Sequence, residues 1–424
     1  MRRAATSAAH RLDRVSTEIR TVEAGELHLW GRSVGVAFLV PPGPEADEEG
    51  RRHDPPPPGR AWAAVDGERF VGNCATLQRT VTLPAAAGRD CPVAAMAAVT
   101  AVGVHPSHRR QGILSRMMGA MLQDARDRGE PLAGLEASES VIYGRYGFGV
   151  ATFAAKREIA TARGAFVSPV APADVRIVDP DEASKTIPGL FAESIRRVPG
   201  QVDRPETVWE RYVFADPSDW RRGRSANFYA VAPDGYAIYR SEDLPGGDAA
   251  RLHLREVCAA TPGAEAGLWR FLLDVDLVEA IVAFPRPVLD PLAPRLADPR
   301  RLRTTMLTDF LWLRVLDTAA VLGARGYRSA GRLVIAVDGP DDPATGTWVL
   351  DAGPDGASCT RARRGTSADL RLGLSELATL LLGTLPASAL ASAGRVVEER
   401  SGAIDEADVL FRAGPVAPFD MTTF

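Results

Sequence analysis

The sequence predicts a chain of α/β and α+β character, built as two related α/β domains followed by a strand-rich domain. A length of 424 residues is enough for two to four domains. Three observations predict the order. An apolar strand at 96–104 runs through a turn rich in Arg and Gly into an amphipathic helix from 112 to about 128. A second strand, turn and helix follow in the same order at 252–275. Beyond residue 300 the pattern changes to short alternating strands separated by Gly, Asp and Pro. The expected boundaries are 1–14 for a flexible N-terminal extension, 15–155 and 156–300 for the α/β domains, and 301–424 for the last domain.

Residues 15–22 read as the first strand, and the stretch to about Val40 reads as helix. The segment 41–60, PPGPEADEEGRRHDPPPPGR, is rich in proline and charge and reads as a flexible surface loop. Strands are expected at 61–65, 69–83 and 96–104. In the helix after Gly112, residues Leu114, Met117, Met118, Met121 and Leu122 recur at helical spacing and face a core. Gly129 and Pro131 end that helix. A strand at 132–137 leads into Ser138-Glu139-Ser140-Val141-Ile142-Tyr143-Gly144-Arg145-Tyr146-Gly147-Phe148.

In the second domain, 209–214 reads as helix, and 228–231 with 236–240 as a hairpin around Pro233-Asp234-Gly235. A strand at 252–259 precedes a helix at 264–275. The loop between them, Ala260 to Glu265, lacks arginine, so this domain is expected to have lost its ligand site. In the last domain, 311–325 reads as a strand and then a helix. Strands follow at 333–337, 347–351, 357–361 and 368–372, and helices at 374–382 and 386–391. A sheet under apolar helices suits a lipid tunnel or plain structural packing.

Composition excludes several classes. The net charge is −4, with no basic tail or stripe, which argues against a nucleic-acid partner. No stretch is apolar for long enough to cross a membrane, and no signal peptide is visible, so a cytoplasmic protein is expected. The four cysteines, Cys74, Cys91, Cys258 and Cys359, are scattered without metal-ligand spacing. They read as buried thiols, and no metal is expected.

The informative stretch is Val99 to Met118, VTAVGVHPSHRRQGILSRMM. Arg109-Arg110-Gln111-Gly112-Ile113-Leu114 approximates Arg-x-x-Gly-x-Gly/Ala at the mouth of a helix. Such a turn aligns main-chain N–H groups that can hold a pyrophosphate. Gly112 allows close approach, and Arg109 and Arg110 add positive charge. His105 and His108 lie in the same turn and read as turn residues rather than bases.

This loop resembles the coenzyme A loop of the GNAT acyltransferases. Together with ASESVIYGRYGFG and a tripartite chain ending in Phe424, it resembles the enhanced-intracellular-survival (Eis) family of bacterial N-acetyltransferases. The resemblance implies two GNAT-like domains, the second degenerate, and a sterol-carrier-protein-like C-terminal domain. It implies acetyl-CoA as donor and a homohexamer. It points to primary amines of polycationic small molecules, including aminoglycosides, as acceptors. Lysine side chains of proteins or peptides, and a non-catalytic acyl-CoA- or lipid-binding role, remain open at this point.

Carried over by motif, Val102, Gly103 and Val104 lie along the pantetheine, and the Val104 N–H polarises the thioester. Arg110, Gln111, Gly112, Ile113, Leu114 and Ser115 wrap the pyrophosphate, and Ser138 and Glu139 line the far side of the cleft. Tyr143 is the general acid, and the terminal carboxylate of Phe424 is the general base. The residue types suit the chemistry. An amine must lose a proton in order to attack, and a thiolate leaves more readily once protonated. Tyr143 also admits a packing role, Tyr146 is the competing phenol, and Phe424 admits reading as a loose end. Thr423 stands where relatives often carry an acid. Glu136 suits either a substrate ammonium or an arginine partner.

Overall fold

The structure, a computed structural model, describes residues 17–41, 43, 56–244 and 249–424. The expected extension 1–14 and most of the loop 41–60 lie outside the described residues. The chain divides into two compact units, one of residues 1–77 and 99–124, the other of 78–98 and 125–424. The division falls inside two long strands, so each unit holds part of both.

The first unit contains β1 (Glu18–Thr21), α1 (Leu27–Ala37), β2 (Ala61–Asp66), the start of β3 (Arg69–Thr82), the end of β4 (Val93–Val104) and most of α2 (Ile113–Asp127). β2 pairs antiparallel with both β1 and β3. Trp30 of α1 packs among Val22, Ala63, Val65 and Phe70. Its indole N–H donates to the Trp62 carbonyl at 3.1 Å, so burying the ring leaves no orphaned donor. The apolar stripe of α2 is buried as its spacing predicts, with Met117, Met118 and Met121 fully enclosed. At Gly72 a side chain would lie 3.1 Å from Met117, so glycine lets α2 sit tightly on β3.

The second unit begins its own strands with β5 (Leu132–Glu136), the short helix α3 (Ser140–Tyr143), β6 (Gly149–Val150), β7 (Phe153–Ala160) and β8 (Arg176–Val178). Then come α4 (Pro180–Ile195), β9 (Phe228–Ala232), β10 (Gly235–Asp243), β11 (Ala250–Ala259), α5 (Pro262–Leu273), β12 (Val278–Arg286), β13 (Arg303–Asp309) and β14 (Leu311–Val315). Met96–Ala98 of β4 runs parallel to β5, and β14 lies antiparallel between β5 and β6.

A seven-stranded sheet has the order β13-β7-β12-β11-β10-β9-β8. Within it, α5 makes the crossover between the parallel pair β11 and β12 and buries Leu268, Trp269 and Leu272. α4 packs through Ala183, Ile187 and Phe191, which recur every four residues and so share one face. A third sheet, ordered β17-β16-β15-β18-β19, contains β15 (Gly331–Asp338), β16 (Gly346–Gly353), β17 (Gly356–Arg361), β18 (Leu370–Gly373) and β19 (Val396–Glu398). Its helices are α6 (Thr318–Ala324), α7 (Leu374–Leu382), α8 (Ala387–Ser392) and α9 (Ala403–Leu410).

The expected start of the last domain at residue 301 differs from the pairing. β13 joins β7, and β14 joins β5 and β6, so both strands complete earlier sheets. The reason is visible in β14, where all five residues are buried and a neighbour is needed on each side. The expected helix at 209–214 is a π-helical segment, Trp209–Phe214. Among the described residues no helix is long and apolar enough to cross a membrane.

Candidate active site

In the first unit, β4 carries a left-handed residue, Ala101, with φ 53°. The carbonyl of Ala101 accepts a hydrogen bond from the buried Asn73 side-chain amide at 2.5 Å. A left-handed residue inside a strand breaks the extended path and re-aims the residues that follow it. Next comes Gly103, where a side chain would lie 2.5 Å from Ala37 of α1, so only glycine fits. His105 sits 3.1 Å from the Ser33 hydroxyl and 3.2 Å from the Ser33 carbonyl. Burial lowers its pKa, which suits a neutral ring tying the strand end to α1 rather than a base for the reaction.

After the short turn Pro106–His108, Arg110 and Gly112 both adopt left-handed conformations, with φ 63° and 74°. Arg109, Arg110, Gln111 and Gly112 are exposed, while Ile113 is buried and anchors the start of α2. The space around Gly112 is open, with nothing within 4 Å of where a side chain would begin. Left-handed residues at a helix entrance turn successive N–H groups toward one concavity, and a 15-residue helix adds its dipole. This arrangement can hold a diphosphate.

The second unit holds the other predicted residues. Ser138 and Glu139 follow β5 and are exposed. Tyr143, at the end of α3, is 5% exposed, with its ring edge-on to Phe148 at 6.0 Å. Tyr146 is tied down elsewhere. Its carbonyl accepts from Arg314 Nε at 2.7 Å, and the Arg145 guanidinium covers its ring. The turn is braced from the last domain. Ser375 of α7 donates to the Gly144 carbonyl at 3.2 Å, and α7 presses so closely on Gly149 that no side chain fits there.

The chain end is built in, not loose. Phe419 N–H donates to the Pro199 carbonyl at 2.9 Å. Asp420 Oδ1 accepts from the N–H groups of Val202, Met421 and Thr422 at 2.8–3.2 Å. Thr422 Oγ1 donates to the Val202 carbonyl at 3.0 Å. Arg204, its side chain 3% exposed, donates to Thr422 Oγ1, the Met421 carbonyl and both oxygens of Glu256, each at 3.0 Å. Its guanidinium lies over Phe191 and Trp209, at 4.4 and 4.9 Å from the ring centres. Burial works against the Arg204 charge, but Glu256 outweighs it and keeps the group ionised.

These contacts bring the final residue to the end of β5. The main-chain N–H of Phe424 donates to the Glu136 carboxylate. The other oxygen of Glu136 is buried without a hydrogen-bond partner among the described residues, and so is Asp420 Oδ2. Burial, and then the charge of Asp420, push Glu136 up to about 8. Burial likewise pushes Asp420 up to about 7, against the pull of its N–H donors and Arg204. No arginine pairs with Glu136 among the described residues; the Phe424 N–H is its partner there. The Arg204–Asp420–Glu256 clamp had no local signal, because its members are separated by up to 216 positions in sequence.

Comparison with known proteins follows this anatomy. The acetyltransferase (GNAT) domain family matches residues 18–151, a second acetyltransferase (GNAT) domain family matches 200–315, and the sterol carrier protein domain matches 318–419. N-acetyltransferase Eis of Mycobacterium tuberculosis is 32% identical over 355 residues, covering 82% of this chain and 84% of that protein. The chain belongs to the Eis family of N-acetyltransferases. An uncharacterised N-acetyltransferase of Streptomyces griseus is 35% identical over 414 residues, covering 94% of this chain and 98% of the relative. The crystal structure of Eis1 from Mycobacterium abscessus superposes with a TM-score of 0.83 at 29% identity, covering 96% of this chain and all of that one.

Within this Eis-family chain, the second GNAT domain shows why its loop is no donor site. Thr261 caps α5 by accepting the Ala264 N–H at 3.1 Å, and Pro262 supplies no N–H. Glu265 sits in the first turn, paired with Arg286 at 2.8 Å. A pyrophosphate would meet a spent cap and a carboxylate.

Proposed function

We propose that this N-acetyltransferase moves the acetyl group of acetyl-CoA directly onto a primary amine of a small molecule. The main-chain N–H groups of Arg110 to Ser115 hold the pyrophosphate, Val102 to Val104 run along the pantetheine, and Ser138 and Glu139 line the far side. The Phe424 carboxylate takes the amine proton, and the nitrogen bonds to the thioester carbon. Charge gathers on the carbonyl oxygen, where the Val104 N–H stabilises it. The carbon–sulfur bond breaks, and Tyr143 protonates the departing thiolate.

The observation that carries this reading is the anchored chain end. The buried side chains of Arg204, Asp420 and Thr422 hold residues 420–422, and the main-chain N–H of Phe424 meets Glu136 at the end of β5. Burying a polar group without a hydrogen-bond partner costs free energy, and the tail carries such a cost at Asp420 Oδ2 while its other polar groups are paired. Aminoglycosides are the acceptors that the family resemblance suggests, and a homohexamer is the assembly it suggests. The test is mass spectrometry of kanamycin, tobramycin and simpler diamines incubated with protein and acetyl-CoA. The expected result is one or more acetyl increments. No increment on any amine would overturn the reading.

A further inference from the structure

The last residue is held by an acid that takes no part in the proton transfers above. Phe424 carries its N–H and its carboxylate on one Cα, and the N–H donates to the Glu136 carboxyl group at the end of β5. Holding the N–H leaves the carboxylate only rotation about the bonds of that Cα. The charge of Asp420, in the same tail, reaches Glu136. Each acid has one buried oxygen without a hydrogen-bond partner among the described residues, Glu136 Oε1 and Asp420 Oδ2. Opposite Glu136 on β14 stands Leu311, which brings no charge. Asp420 is met by the N–H groups of Val202, Met421 and Thr422, and by the charge of Arg204. Arg204 already donates to both oxygens of Glu256. In this set Glu136, Asp420, Glu256 and the terminal carboxyl group share one guanidinium.

Buried carboxyl groups in excess of their cations hold protons rather than charge. Burial and then Asp420 push Glu136 up to about 8, and burial pushes Asp420 up to about 7. A neutral carboxyl group still offers its carbonyl oxygen to the Phe424 N–H. An ionised Glu136 would add a negative charge to a tail that already carries the terminal carboxylate, and like charges at this depth repel.

We infer that Glu136 is a positioning residue for the terminal carboxylate: as a neutral acid within reach of Asp420 it holds the Phe424 N–H, and its ionisation releases the chain end. This rests on the role of that carboxylate as the base, proposed above.

The test compares the parent chain with Glu136→Gln, whose amide accepts the same N–H and cannot ionise. Thiol release gives kcat for both proteins at saturation with whichever of kanamycin, tobramycin or the simpler diamines reacts. The variant-to-parent ratio is expected to rise about tenfold between pH 7 and pH 9. Over that range the parent loses its neutral Glu136, while the responses of the amine and of Tyr143 cancel in the ratio. Glu136→Ala has no acceptor for the N–H and is expected to lower kcat about tenfold or more already at pH 7, with coenzyme A affinity unchanged. A side chain that merely packs changes kcat by one factor throughout. A ratio that stays flat with pH, or a Glu136→Ala variant as fast as the parent, would therefore overturn the inference.

If no amine at all is acetylated, the transfer reading fails by itself, and the chain end is then followed directly. Carboxypeptidase A removes a terminal phenylalanine once the tail is free. The parent and Glu136→Gln are compared at each pH, so that the protease's own pH response cancels. Faster release of phenylalanine from the parent at pH 9 but not at pH 7 supports the positioning role, and equal release at both overturns it.

Discussion

Tyr143 and Glu136 are two acids whose protons can be tested separately. In the proposed mechanism the Tyr143 phenol gives its proton to sulfur, so Tyr143→Phe is expected to lower kcat by roughly 10²–10⁴-fold while leaving coenzyme A affinity intact. Rapid-quench turnover and calorimetry on the same preparation separate the two effects. A kcat within a factor of a few would instead assign the phenol a packing role. Glu136 is an acid that folding keeps protonated, with its pKa up from about 4.5 to about 8. A raised carboxyl pKa favours the native state at low pH, and that advantage is lost as pH rises from about 4.5 through about 8. Glu136→Gln removes this titration. Relative to the parent chain, its melting temperature is expected to be higher at pH 8 than at pH 5. Parallel curves for the two proteins would sink that assignment.

At the scale of elements, the β4–turn–α2 unit was readable because its signals are local. Apolar periodicity, glycine at a left-handed position and exposed arginines all occur within 25 residues, and the observed strand, turn and helix follow them. The left-handed residue Ala101 was not readable, since nothing marks alanine for φ 53°. Neither were the destinations of β13 and β14, because strand pairing depends on partners some 150 residues away. The tail clamp was hidden for the same reason. Its energetics give a prediction. Arg204→Met leaves Glu256 ionised and buried without its partner, which is expected to cost about 3–5 kcal/mol in urea denaturation. Arg204→Met with Glu256→Leu replaces both charges and is expected to recover much of that loss, yet not the turnover, because the Met421 and Thr422 anchors stay missing. Full turnover in the double variant would separate the clamp from catalysis.

Across the whole molecule, two GNAT domains differ at the same place in their plan. The first GNAT domain keeps an open, arginine-flanked helix entrance, and the second has closed its own with Thr261, Pro262 and Glu265. The second domain supplies Arg204, the residue that holds the far end of the chain. The sterol-carrier-like domain contributes through that tail and through the brace from α7, so its presence needs no bound lipid to be explained. An appended peptide after Phe424 converts its carboxylate into an amide. Turnover of such a fusion is expected to fall by roughly 10²–10⁴-fold and to return on proteolytic removal of the peptide.

The two enclosed acids beside the chain end have one more consequence, for calorimetry. Glu136 and Asp420 hold protons near pH 7 that an unstructured chain would have given up, so acquiring the native state at neutral pH draws roughly one to two hydrogen ions from the medium. Melting must return them, and the heat absorbed then includes whatever the buffer releases or consumes in receiving them. Scans in phosphate and in Tris at the same pH should therefore differ in enthalpy, and the Glu136→Gln variant should narrow the gap.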